Sequence, residues 1–255
     1  MTLSIVIAGV SGDRVVADCL ESVRRVAPDL EIIVLRGDPD AIFQLRANGM
    51  TQATGDRIAV LGDRYEVSPE WLAAASNSEF DVTGGCIAPG VNLNYWGWCV
   101  YLSEYIHLAP PVASGAARQT KLVPGGNVVY RTDIVRQFPP DPAESDLRFH
   151  SRLMDAGLSV GIRSDLEATF ARPPGFAEYI TERYSYSHRI GSEGGVRKLL
   201  LAPLLPFVFT VRIGWMVAMK RRFALRWLLC APAIFFLAFV QAAGEFAGAL
   251  PRPNR

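Results

Sequence analysis

Several things are scarce in this chain, and each scarcity excludes a class of chemistry. Three histidines and four cysteines are spread over 255 residues. Cys19, Cys86, Cys99 and Cys230 show neither CxxC spacing nor partner histidines, so neither a zinc site nor a disulfide framework is supported. The net charge is only +1, which gives no electrostatic reason to expect nucleic acid as a partner. The amino terminus carries no basic segment followed by a long apolar run. Thr2–Val10 is too short for a signal peptide and reads as a strand, so the globular part is expected to stay in the cytoplasm. Acidic residues are missing altogether between Glu193 and Glu245, where Arg197, Lys198, Arg212, Lys220, Arg221, Arg222 and Arg226 fall.

Half the residues are hydrophobic, and the excess is concentrated after Leu199. Before that point, strand and helix signals alternate. Leu3–Ala8 is an apolar strand. Asp13 begins a helix running to about Val26, with Val16, Cys19, Leu20 and Val23 at helical spacing and Arg24 and Arg25 at its end. Leu30–Leu35 is a second strand, and strand–helix–strand with this crossover predicts parallel pairing. A third strand, Ile58–Leu61, lies between Gly55 and Gly62-Asp63-Arg64. After it, Ser68-Pro69-Glu70 reads as a capped helix start. Asp81–Ile87 reads as a fourth strand. The aromatic run Asn94–Leu108 is read as core or interface before sugar platform. The expected fold class is α/β: a mostly parallel sheet flanked by helices, followed by a C-terminal hydrophobic helical pair.

Ligands of open α/β sheets lie beyond the carboxyl ends of the strands. Asp38 and Asp63 both follow strand ends on that rim, although turns favour Asp for local reasons too. Val123–Arg131 is a glycine turn running into a strand, where Gly125 and Gly126 let backbone approach a ligand. Glu144 and Asp146 open a helix that stops at Gly157. A carboxylate there either caps the helix or, facing a cleft, takes a proton from an attacking hydroxyl.

In order and spacing these pieces resemble the family 2 GT-A glycosyltransferases, from Leu3 to about Arg189. The segments are SIVIAGVSGDRVVADCLESVRR, EIIVL before Asp38, RANGMTQATGDRIAVLGDRYEVSPEWL, and VPGGNVVYRTDIV before ESDLRFHSRLMDAGL. The resemblance implies a GT-A (Rossmann-like) domain over residues 1–195 and a membrane-associated region over 196–255. It also implies inverting transfer of one sugar from a nucleotide-sugar. Ala8, Asp38 and Arg46 would lie at the nucleotide, Asp63 would hold a divalent cation (Mg²⁺ or Mn²⁺) against the diphosphate, and Gly125, Gly126 and Asn127 would border the donor sugar and acceptor. Asp146 would be the general base, with Glu144 the alternative.

The chain departs from the family pattern at several points. The acidic motif is reduced to Gly62-Asp63-Arg64, Ser145 replaces a Glu, and Arg172 replaces a frequent His. Arg64 is therefore an alternative source of charge for the diphosphate. The processive enzymes' Gln-x-x-Arg-Trp is absent, with Glu182-Arg183-Tyr184 nearest to it, which favours single-sugar addition. A catalytically degenerate subunit binding a partner transferase is the competing expectation.

Leu199–Met219 is long enough to span a bilayer and Trp227–Ala243 marginal. With the donor in the cytoplasm, two spans would put Lys220-Arg221-Arg222 outside, against the positive-inside tendency. Helices lying in the cytoplasmic leaflet of the cell membrane are the preferred expectation, a single span by the second segment the next. A lipid-linked sugar acceptor follows from that expectation.

Overall fold

The protein is described by a computed structural model over residues 2–110, 118–119, 123–194 and 204–250. Residues 199–203, the start of the first apolar segment, lie outside the described residues, as do Arg197 and Lys198. In chain order the elements are β1 (Leu3–Gly9), α1 (Asp13–Val26), β2 (Glu31–Arg36), a 3-10 turn (Pro39–Ala41), α2 (Ile42–Gln52), β3 (Arg57–Gly62), β4 (Tyr65–Glu66) and α3 (Pro69–Ser76). There follow β5 (Val82–Pro89), α4 (Tyr95–Tyr105), β6 (Arg118–Gln119), β7 (Asn127–Arg131), α5 (Thr132–Gln137), α6 (Asp146–Asp155) and β8 (Val160–Phe170). The last three are α7 (Phe176–Gly194), α8 (Leu205–Lys220) and α9 (Ala224–Ala249).

The chain forms two compact units, Met1–Asn92 with Leu108–Arg172, and Leu93–His107 with Pro173–Arg255. The division expected near residue 195 falls inside the second unit. α7 is polar in sequence but packs along α9, and the aromatic helix α4 also packs on α9.

In the first unit one α/β sheet has strand order β2-β1-β3-β7-β5-β8-β4, with β6 beside β8. The parallel pairing predicted from the opening strand–helix–strand is present, β1 being parallel to both β2 and β3. The sheet is nevertheless mixed. β5–β8 is also parallel, but β7 runs antiparallel to β3 and β5, and β4 and β6 antiparallel to β8. All seven residues of β1 are buried, which requires cover on both faces and explains why its sequence does not alternate. On one face Val6, Ile58, Val60, Val128 and Tyr130 pack with Met50 of α2, Ile134 of α5 and Phe149 and Leu153 of α6. Each such buried aliphatic side chain contributes about 1.5–3 kcal/mol relative to exposure.

Local signals explain the helix starts. Ser68 accepts the Trp71 N–H at 3.4 Å ahead of Pro69, and Ser145 accepts the Arg148 N–H at 3.3 Å at the head of α6. Asp13 is in the first turn of α1, where Gly12 is the cap, and its carboxylate pairs with Arg36.

In the second unit α7, α9 and α4 pack together, and α8 packs on α9. The aromatic run is largely interior there: Trp96 bonds the Pro174 carbonyl at 3.0 Å and meets Tyr179 edge-on.

Candidate active site

The site follows from strand direction. Because β1, β2 and β3 are parallel, their carboxyl ends share a rim, with Ala8 opposite Gly62 and Gly9 opposite Arg36. Because β7 is antiparallel to β3, it begins on that same rim. Leu61 lies opposite Asn127, and the Gly62 N–H donates to the Gly126 carbonyl at 2.8 Å. The paired glycines are thereby laid alongside Gly62-Asp63.

At Gly125 three distant segments meet. A Cβ on Gly125 would lie 2.0 Å from Asp146 Oδ2 and 2.5 Å from Arg46 Nη1, so a side chain there would have to displace the charged groups. Asp146 comes from the first turn of α6 and Arg46 from α2, and their side chains form an ion pair, each 13% exposed. The pair uses Oδ2; Asp146 Oδ1 accepts no hydrogen bond among the described residues. The Asp146 carboxylate is thus held by the Arg46 guanidinium.

Asp38 is exposed just beyond β2. Its carbonyl accepts the Ala41 N–H at 2.9 Å, while its carboxylate makes no capping bond. It is thus presented at the rim, its side chain making no hydrogen bond among the described residues.

Three expected site side chains are engaged in structural bonds, and Ala8 lies within the sheet. Asp63 is 4% exposed, and its Oδ2 accepts the N–H groups of Val10 and Ser11, both at 2.8 Å. It ties down the loop after β1, and a cation on that oxygen would face two N–H dipoles. Among the described residues no cluster of three or more His, Cys, Asp or Glu is placed to hold a metal ion, so a cation at Asp63 would take most of its ligands from phosphate oxygens and water. Asn127 is fully buried. Its amide donates to the Cys86 and Leu166 carbonyls at 2.8 and 3.0 Å and accepts from the Trp71 indole at 2.8 Å. With those bonds made it is a sheet brace, and only its backbone borders the rim. Ala8 is buried between β2 and β3, leaving Gly9 and Val10 to form the edge. Glu144 is clamped by Arg152 through two bonds of 2.9 and 3.2 Å, and that guanidinium also lies over Phe149, so the alternative base is committed.

Arg64 is also buried, its carbonyl accepting the Ala171 and Arg172 N–H groups. Arg172 pairs with Asp18 at 2.9 Å and Glu66 at 3.5 Å. The Cys19 thiol, bonded to the Gly62 carbonyl, is pushed up to about 12 by burial and by the charge of Asp63, which makes it inert.

Sequence reasoning missed the polar pair behind Asp146. His150 lies one helical turn along α6 and bonds Tyr130 through Nε2 at 2.7 Å. Burial lowers the imidazole to about 4 and raises the Tyr130 hydroxyl well above its ordinary value; the Asp146 charge opposes the first shift and adds to the second. The i, i+4 spacing of Asp146 and His150 was the available signal. An open pocket of about 430 Å³, lined by Thr54–Arg57 and Arg131–Asp133 with Arg136, lies at the other ends of β3 and β7 and contains none of the candidate residues.

No protein-family model matches the chain, and no curated protein matches it. Among solved structures it is similar to GalNAc-T7 with UDP, GalNAc and Mn²⁺ at 14% identity and a TM-score of 0.49, covering 76% of this chain and 52% of that one. It is similar to S. aureus TarS 1–349 in complex with UDP-GlcNAc, at 12% identity over 97% of this chain and 90% of that one, TM-score 0.47. It is also similar to the mannosyltransferase PcManGT from Pyrobaculum calidifontis in complex with GDP-Man and Mn²⁺, at 13% identity over 95% and 73%, TM-score 0.47. The chain spans about half the length of the first of these. Likeness at this level assigns no activity, which has to be argued from the residues.

Proposed function

We propose that the chain is a nucleotide-sugar-dependent glycosyltransferase of the GT-A type, resembling family 2, that transfers one sugar with inversion. One observation carries the reading: Asp146, Arg46 and Gly125 meet on the rim where β3 ends and β7 begins, and Asp38 is exposed on that rim. In this reading Asp38 accepts a ribose or base hydrogen bond, and the glycine turn lets the donor sugar approach backbone. Asp146 Oδ1 takes the proton of the acceptor hydroxyl as that oxygen attacks the anomeric carbon from the face opposite the departing nucleoside diphosphate. Arg46 orients Asp146 and turns a cation toward the diphosphate. Asp63 acts at one remove, through the loop it holds; a divalent cation, if bound, would supply charge neutralisation for the leaving group.

The acceptor in this reading is a lipid-linked glycan of cell-envelope or exopolysaccharide synthesis, met at the cytoplasmic face of the membrane. Its support is the apolar surface of the second unit, where α9 is long and apolar enough to cross a bilayer by length and composition. A second reading, a degenerate subunit that binds a partner transferase, is favoured by the same ion pair, which occupies the base.

A panel of nucleotide-sugars tested for thermal stabilisation, with and without Mn²⁺, checks the reading. One donor is expected to stabilise the protein by about 2.7 kcal/mol at a hundredfold excess over its Kd. Turnover of that donor, abolished in Asp146→Asn, supports the transferase. Binding without turnover supports the degenerate subunit, and no binding by any donor sinks both.

A further inference from the structure

The second unit carries an apolar surface of a particular shape. On α8 the side chains of Phe207, Val211, Trp215 and Met219 are exposed at every fourth position, which is one face of a helix. On α9 the exposed residues Leu225, Leu228, Leu229, Phe236, Phe239 and Phe246 continue at helical spacing along an element about 39 Å long. The other face of α9 is committed to α7. A Cβ on Gly248 would lie 1.9 Å from the His188 carbonyl oxygen, and one on Gly191 would lie 2.2 Å from that of Glu245.

This partnership decides between crossing a membrane and lying in it. A bilayer-spanning α9 would carry α7 along its side, taking Glu182, Arg183, Arg189 and Glu193 into hydrocarbon. An α9 lying flat keeps α7 on its aqueous side and turns only the apolar stripe outward.

The turn between the two helices supplies the charge. Arg221 and Phe223 have φ of 49° and 65°, the left-handed region that is unfavourable for a non-glycine residue. Packing holds the turn in that shape. The Phe223 ring lies 5.3 Å from Trp98 and 6.2 Å from Tyr101, and the Arg226 guanidinium stacks over Trp98 at 5.0 Å. Arg221, Arg222 and Arg226 are exposed there, with no acidic residue in sequence from 194 to 244. A second copy of this chain would bring like charges together, whereas anionic headgroups at the edge of a hydrocarbon layer complement both charge and stripe.

We propose that α8 and α9 lie in the plane of an anionic phospholipid bilayer, the apolar stripe at the acyl boundary and the Lys220–Arg226 turn among the lipid phosphates. The inference stands on the second unit and does not rest on the transferase reading. Flotation of the full chain with phosphatidylcholine vesicles, with or without 30% phosphatidylglycerol, tests it, together with tryptophan quenching by lipids brominated at shallow or deep acyl carbons. Binding to the anionic vesicles is expected and should weaken at least tenfold in 0.5 M salt. Shallow bromines should quench best, and the effect should be lost in Trp215→Phe. Arg221→Asn with Arg222→Gln, checked for an unchanged thermal transition, should weaken binding about thirtyfold, at about 1 kcal/mol per charge. The salt series on the unaltered chain keeps the test decisive if that variant unfolds. Absence of anionic-vesicle binding, deep quenching with a protease-protected carboxyl terminus, or self-association with no affinity for lipid would each overturn the proposal.

Discussion

Arg46 and Asp146, 100 residues apart in sequence, meet as a largely buried ion pair beside Gly125. Breaking a buried pair from one side strands a charge, which costs more than the pair itself contributes. Asp146→Ala is expected to lower stability by about 3 kcal/mol. Arg46→Ala/Asp146→Ala should lose less than the two single changes added, by about 0.5–3 kcal/mol. Denaturant unfolding of the four proteins measures this, and strict additivity would show that the two side chains do not interact.

Gly125→Ala would put a methyl group where the two charged side chains meet, whereas a Cβ on Gly12 has nothing within 4 Å. The first substitution is expected to destabilise and to weaken donor binding at least tenfold; Gly12→Ala should leave both unchanged. Calorimetry with the stabilising nucleotide-sugar, set beside thermal melts, separates the two effects.

Asp63→Ala removes the acceptor of two loop N–H groups, each a charge-assisted bond. A loss of about 3–6 kcal/mol is expected, from two hydrogen bonds to a charged group at about 1.5–3 kcal/mol each. Hydrogen exchange at Val10 and Ser11 should accelerate in the variant. Adding a chelator to the native protein should leave its melting temperature unmoved, because the carboxylate's structural bonds are to backbone.

His150 faces Tyr130, Asp146, Arg46 and Glu144, and burial lowers it from 6.5 to about 4. The unfolded chain therefore binds a proton through 6.5 that the folded protein refuses until near 4. Stability is full above 6.5 and falls as the pH drops between those values, by about 2 kcal/mol from pH 7 to 5. Urea midpoints at the two pH values, compared with His150→Phe, read this directly: the variant's profile should be flatter.

Gly248→Ala sets two effects against each other. Alanine favours a helix interior by about 1 kcal/mol, but its methyl would fall 1.9 Å from the His188 carbonyl oxygen of the neighbouring helix. Backbone cannot yield as a side chain can, so a net loss in melting temperature is expected; a gain would mean that α7 and α9 are looser than the structure shows.

The first three strands, the strand from Val82 and the helices α1 and α3 were legible because their signals are local: apolar runs closed by glycine and aspartate, and Ser68 ahead of Pro69. The Ser145 cap and the strand β8, with Arg163, Ser164 and Asp165 in its middle, were not. The rim position of Asp38 was legible as well, since parallel pairing sends it to the carboxyl ends. The fates of Asp63, Asn127 and Glu144 were not, because each was decided by a partner far along the chain: Val10, Leu166 and, eight residues on, Arg152.

By itself, then, the sequence determined where the chain turns, which stretches are apolar enough to be covered, and that no acidic residue accompanies the positive charge between 197 and 226. Only the tertiary structure decided that β7 enters antiparallel and carries Gly125 to Arg46 and Asp146, and that α9 has one face taken by a polar helix. The reason is physical: a residue's own chemistry sets its local preference, but whether a carboxylate can accept a proton or a helix can enter lipid depends on what the folded chain packs against it.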